Sequence, residues 1–194
     1  MPESDFLKPP RVLVWRHPKP KKGLGWWNCK NTAYLSKKLI KARPSSLLCI
    51  TLHECIHGIH NRENIDCEKL VKSVKGLRFN RSALCECKKF YPPKHMPHMC
   101  WCEVICDLIP AYIIMSMPKK MRLGYDYEGG YNSATQIKKW LRSGAGQRLY
   151  DTLIQPYHER WLYLAFLNLR KLKLNKALSS KALDSEVRKV LSID

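Results

Sequence analysis

The feature that most constrains this chain is an apolar segment, Leu47 to about His60, with His53-Glu54-Cys55-Ile56-His57 in its middle. Leu47, Leu48, Ile50 and Leu52 lead into it after Pro44-Ser45-Ser46, so it reads as a buried helix with proline in its first turn. Two histidines four residues apart lie on one helix face, where both imidazoles can reach a single tetrahedral metal ion. The glutamate beside the first histidine is then placed to hold a water on the metal and take its proton. The pattern predicts His53 and His57 as ligands of a catalytic Zn²⁺ and Glu54 as the general base.

A catalytic zinc takes a third protein ligand and keeps one position open. Glu103, in Glu103-Val-Ile-Cys-Asp107, is the preferred third ligand. Asp107 lies one helical turn further on and is placed to accept a hydrogen bond from a ligand imidazole, fixing its tautomer. Both carboxylates sit among Trp101, Val104, Ile105, Leu108 and Ile109, where burial without partners would be costly. His60, three residues after His57, is the rival ligand if the helix ends near Gly58.

Cysteine usage follows from compartment. The first twenty residues contain Glu3, Asp5 and several prolines and no apolar run of signal-peptide length, so the chain reads as intracellular rather than secreted. In a reducing compartment its nine cysteines are core residues, ligands or reactive thiols rather than bridges. Cys85-Glu-Cys87 and Cys100-Trp-Cys102 frame a proline- and histidine-containing loop and could close a second, structural zinc site. Cys29, Cys49, Cys55 and Cys67 read as core or incidental.

The net charge of +19 is concentrated at the ends: +9 over residues 1–46, +2 over 47–118 and +8 over 119–194. Such flanks favour an acidic partner. Lys21 and Lys22 beside Trp26 and Trp27 could neutralise phosphates while the rings stack on bases, which makes DNA or RNA a candidate partner. No apolar run reaches the length of a membrane span.

The expected fold class is α+β and mostly helical, in a single domain over residues 1–194. Arg11–Trp15 reads as a strand, His17–Gly25 as a loop, and Ala33–Lys41, Leu47–His60 and Asp66–Val74 as helices. Residues 80–102 form a Cys/His-rich insertion, irregular up to about 98, and 99–117 a helix bent at Pro110. Residues 119–194 read as a basic helical extension: a loop to 135, a short helix Ile137–Leu141 ended by Gly144, and a helical region Gln147–Leu178 kinked at Pro156. Tyr112, Tyr131, Tyr157 and His158 are the available oxyanion donors.

These motifs resemble the zincin metallopeptidases. Within them, His53-Glu-x-x-His57, Glu103-x-x-Cys106-Asp107, Ala111 and Met117-Pro118 resemble the order seen in the ImmA/IrrE-like family. SprT-like proteases of DNA–protein crosslinks are a second resemblance; they take a third histidine, which bears on His60 and His95. The resemblance covers about residues 47–118. It implies a zincin-like core and Zn-dependent cleavage of a protein substrate, often one bound to DNA. The contrasting expectation is a basic, zinc-stabilised nucleic-acid-binding protein without catalytic activity.

Overall fold

The structure, a computed structural model, describes residues 6–15, 24–28, 31–41, 43–77, 96–127 and 132–193; the side chains of Trp15, Asn28, Ile40 and residues 96–100 fall outside the description. Three strands open the chain: β1 (Arg11–Trp15), β2 (Gly25–Asn28) and β3 (Thr32–Ser36). Their order is β1-β3-β2, with β3 parallel to β1 (Arg11 opposite Thr32) and antiparallel to β2 (Trp26 opposite Tyr34). Asn31, in the left-handed region at φ 59°, turns the chain into β3. Its side-chain amide donates to the carbonyls of Lys8 and Pro9, tying the segment before β1 to the same turn.

Among the described residues seven α-helices follow: α1 (Pro44–Arg62), α2 (Cys67–Ser73), α3 (Met96–Ser116), α4 (Ala134–Arg142), α5 (Ala145–Leu153), α6 (Pro156–Lys171) and α7 (Lys181–Val190). The protein is therefore mostly helical with one small sheet. Helix α1 runs through the middle, packed on β2, β3, α3 and α6. From Ser45 to Cys55 every residue but Ile50 is buried, as befits a helix enclosed on most sides. Pro44 at its first turn has no amide hydrogen to leave unsatisfied, and the buried Thr51 hydroxyl donates back to Leu47 O at 2.8 Å. Helix α2 is capped by Asp66, whose carboxylate accepts from Lys69 N at 3.0 Å.

Several expectations change. The helix expected over Ala33–Lys41 is instead β3 followed by a 3₁₀ turn, Lys37–Lys41. Ala33 and Leu35 are buried while Tyr34 is half-buried, a period-two pattern imposed by pairing on both edges of β3. Gly25–Asn28, not expected as a strand, supplies one of those partners. Helix α3 begins at Met96 and runs through Pro110, although proline leaves the Cys106 carbonyl without its helical partner. Burial on its neighbours outweighs that loss: Val104 to Ala111 are all buried. At Pro156, where a kink in one helical region is expected, the chain instead ends α5 and starts α6, and α7 lies beyond the expected helices.

Residues 119–194 do not stand apart from the core. Helices α4 and α5 pack on α3, and α6 packs on α1 and β1. Trp161 and Phe166 of α6 and Leu183 and Val187 of α7 belong to the same apolar cluster as Leu52 and Ile56. Phe6 packs edge-on against Trp161, whose indole N–H donates to Lys8 O at 3.1 Å. Among the described residues no helix is long and apolar enough to cross a membrane.

Candidate metal centre

Helix α1 presents His53 and His57 one turn apart toward α3, which supplies Glu103 and Asp107 from its own consecutive turns. The helices face each other closely, so four side chains placed by two local spacings converge. His53 Nε2 lies 3.2 Å from Glu103 Oε2, and His57 Nε2 lies 3.4 Å from Glu103 Oε1. The two Nε2 atoms are 3.2 Å apart. His53, His57 and Glu103 thus offer three ligand atoms all within 4.8 Å of one another.

The other ring nitrogen of His53 points at Asp107. Nδ1 to Oδ1 is 3.0 Å, and Asp107 Oδ2 accepts from the backbone N–H of Asn132 at 3.0 Å and its side-chain amide at 2.8 Å. With its Nδ1–H donated to Asp107, a neutral His53 turns the Nε2 lone pair toward Glu103 and His57. Three lone-pair-bearing atoms then face one small volume, an arrangement that repels itself unless a proton or a cation lies between them. Glu103 Oε2 is buried and has no hydrogen-bond partner despite its proximity to His53, the orphaned acceptor that a cation would satisfy. The buried donor set therefore fits a metal ion.

The electrostatics agree. Burial alone would push the His53 pKa down, but its hydrogen bond to Asp107 and the negative charges of Asp107 and Glu103 raise it well above the usual histidine value. Burial opposes ionisation of Glu103, yet His57 and His53 hold its carboxyl below the usual range. Asp107 is likewise lowered, burial being outweighed by His53. A lone buried carboxylate would cost several kcal/mol; each of these is compensated by an imidazole.

Glu54 is buried on the same helix, and burial raises its pKa. The Trp27 backbone amide bonds to its carboxylate. Its Oε1 lies so close to Gly25 that a Cβ there would overlap it. Strand β2, an edge strand, therefore runs past the Glu54 carboxylate, and glycine makes the approach possible.

His60 does not join the first three ligands. Its Nε2 is 3.0 Å from His57 Nδ1, and its Nδ1 is 3.8 Å from Cys102 Sγ. Cys102 Sγ is in turn 2.9 Å from Cys67 Sγ, both thiols free. Hydrogen bonding from Cys102 lowers the Cys67 thiol to about 5, with His60 adding to the effect against burial, while Cys102 is pushed up. Cys106, on the turn after Cys102, is buried and approaches His57 and His60.

Other expected site residues fall elsewhere. Cys85, Cys87, His95, Lys21, Lys22 and Tyr131 lie outside the described residues, as does the side chain of Cys100. Trp27 is buried, edge-on to Trp161 and against Gly58, so its ring is committed to the core rather than free to stack on bases. Trp26 is half-exposed and stacks on Tyr34. Tyr157 and His158 both bond to Glu63, at 3.0 and 3.1 Å. Tyr112 packs against Tyr150. Asn132 and Cys67 were missed: each lies at least 25 residues from its partner, and nothing local marks it.

Comparison with known protein families, characterised proteins and solved structures finds no match to this chain.

Proposed function

We propose that this protein is a zinc metallopeptidase with a zincin-like centre, its ligands His53, His57 and Glu103 and its general base Glu54. The observation that carries the reading is the convergence of two imidazole nitrogens and a buried carboxylate whose Oε2 lacks a hydrogen bond. The donor set, two histidines and one carboxylate, is that of hydrolytic rather than closed structural zinc. His53, His57 and Glu103 would hold the zinc, which would polarise a carbonyl and lower the pKa of a water. Glu54 would take a proton from the attacking water and deliver it to the leaving amine, and the burial that raises its pKa favours the protonated state in between. Asp107, held by Asn132, fixes the His53 ring so that Nε2 faces the ligand volume. Among the described residues β2 edges the sheet beside Glu54, where an extended peptide would lie, which favours a polypeptide substrate over a small one. The charge of +19 favours a substrate in acidic surroundings, such as a protein on nucleic acid.

The test is Glu54→Gln in the full chain, with bound zinc and hydrolysis of unfolded polypeptide measured together. The expected outcome is unchanged zinc and cleavage lowered by about 10²–10⁴-fold. Cleavage at the wild-type rate with zinc bound refutes Glu54 as base, and a protein that takes up no zinc refutes the reading as a whole.

A further inference from the structure

Beside the proposed catalytic ligands, where α1, α2 and α3 meet, lies a second group of donors with different chemistry. His60 comes from the last turn of α1, Cys67 is the first residue of α2, and Cys102 stands on α3 one residue before Glu103. All three are buried, and their ligand atoms lie within 4.8 Å of one another. The two sulfurs are 2.9 Å apart, well beyond a disulfide bond at about 2.05 Å. They are also closer than two neutral thiols would pack for their own sake. His60 turns Nδ1 toward this pair and Nε2 toward His57.

We propose that His60 Nδ1, Cys67 Sγ and Cys102 Sγ bind a second divalent metal ion of the thiophilic class, zinc or cadmium, in a structural role. Two thiolates and an imidazole are soft-to-borderline donors that select such ions over magnesium or calcium. The fold supplies a reason for the site. Helix α2 is seven residues long and buries only Cys67 and Val71. So short a helix has little stability of its own. An ion at its first residue clamps it to the end of α1 and to α3. The same ion fixes the start of the turn that carries Glu103, so the second site sets the position of the first site's third ligand. This site uses none of the first site's ligands and stands or falls independently of the peptidase reading.

The two sites touch through His57 and His60. A neutral imidazole carries one N–H. If His57 binds through Nε2 and His60 through Nδ1, the facing nitrogens, 3.0 Å apart, would both carry hydrogen. Filling both sites therefore expels one of these protons or opens the contact.

The experiment is titration of the metal-stripped, fully reduced full-length protein with cadmium alone, reading the near-ultraviolet thiolate-to-cadmium charge-transfer band. The band is expected in the wild type and in Glu103→Gln, and is expected to be lost in Cys67→Ser and in Cys102→Ser. A band that persists undiminished in Cys67→Ser overturns the proposal. Should the serine variants fail to fold, alkylation of the wild type read peptide by peptide decides the matter. Cadmium is expected to protect Cys67 and Cys102 together; equal alkylation of both with and without cadmium overturns the proposal.

Discussion

Two donor clusters share helix α1 and are separated by less than one turn, yet they differ in almost every property that governs ion binding. The first, His53, His57 and Glu103, is nitrogen and carboxylate, made by two helices whose spacings each repeat every four residues. The second, His60, Cys67 and Cys102, is sulfur-rich and drawn from three elements. The first has a carboxylate neighbour, Glu54, that can move a proton, and a polar relay, Asp107 and Asn132, behind one ligand. The second is backed by apolar packing, with Val71 and Ile59 buried nearby in sequence. Hard donors with an acid–base partner suit chemistry, whereas soft donors between secondary elements suit clamping. On the proposed reading one helix serves both tasks, its imidazoles common to both clusters and the neighbouring helices supplying carboxylate to one and sulfur to the other.

The largest effect should come from Glu103→Gln, which removes the only negative ligand of the first cluster. Hydrolysis is expected to fall by more than about 100-fold, with zinc lost from that cluster and the cadmium–thiolate band kept. Simultaneous loss of the band would show that the clusters are not separable. Asp107→Asn leaves all three ligands in place but weakens the hold on His53; competition against a chelator should show zinc affinity reduced by about 10–100-fold. An unchanged affinity would make Asp107 a packing residue.

Gly58→Ala probes the opposite face of α1. An added methyl would meet the Trp27 and Trp161 rings, so urea melts should show a loss of about 1–3 kcal/mol. Metal stoichiometry at both clusters should be unchanged, because neither uses that face.

The smallest effect concerns the end of α1 nearest the sulfur cluster. His158 accepts from Gln155 N through Nδ1 and faces Glu63 through Nε2. Burial lowers its pKa, although Glu63 opposes the shift. A histidine with a lowered folded pKa contributes stability above its unfolded value, about 6.5, and that contribution is lost as pH falls below it. Melting temperature should therefore decline below about pH 6.5 in the wild type, and His158→Gln should flatten that decline. A steeper decline in the variant would assign the acid sensitivity to other groups.

How much could be read from the chain depends on how far apart the interacting residues are. His53-Glu54-x-x-His57 and Glu103-x-x-x-Asp107 are visible because helical spacing alone puts those side chains on one face. That Glu103 rather than His60 completes the first cluster depends on how α3 lies against α1. Asn132 and Cys67 carry no local sign, since the polar partner of one and the sulfur partner of the other arrive from distant segments. Ala33–Lys41 was misread for a related reason: its apolar positions fit either period, and pairing with β1 and β2 chose the strand. Nothing local tells whether Trp27, set among lysines, stacks on a partner or packs in the core, and Trp161, more than a hundred residues later, makes it core.

By itself, then, the sequence determined a buried helix bearing two histidines and a glutamate, a second helix bearing paired carboxylates, and an excess of positive charge at both ends. Those are local or compositional properties, set by the helical repeat and by residue type. Only the tertiary structure decided which carboxylate meets which imidazole, which of the described cysteines become neighbours of His60, and that Trp27 belongs to the core. Such choices are made by packing between segments far apart in the chain, where shape and burial select among side chains that local spacing leaves equivalent.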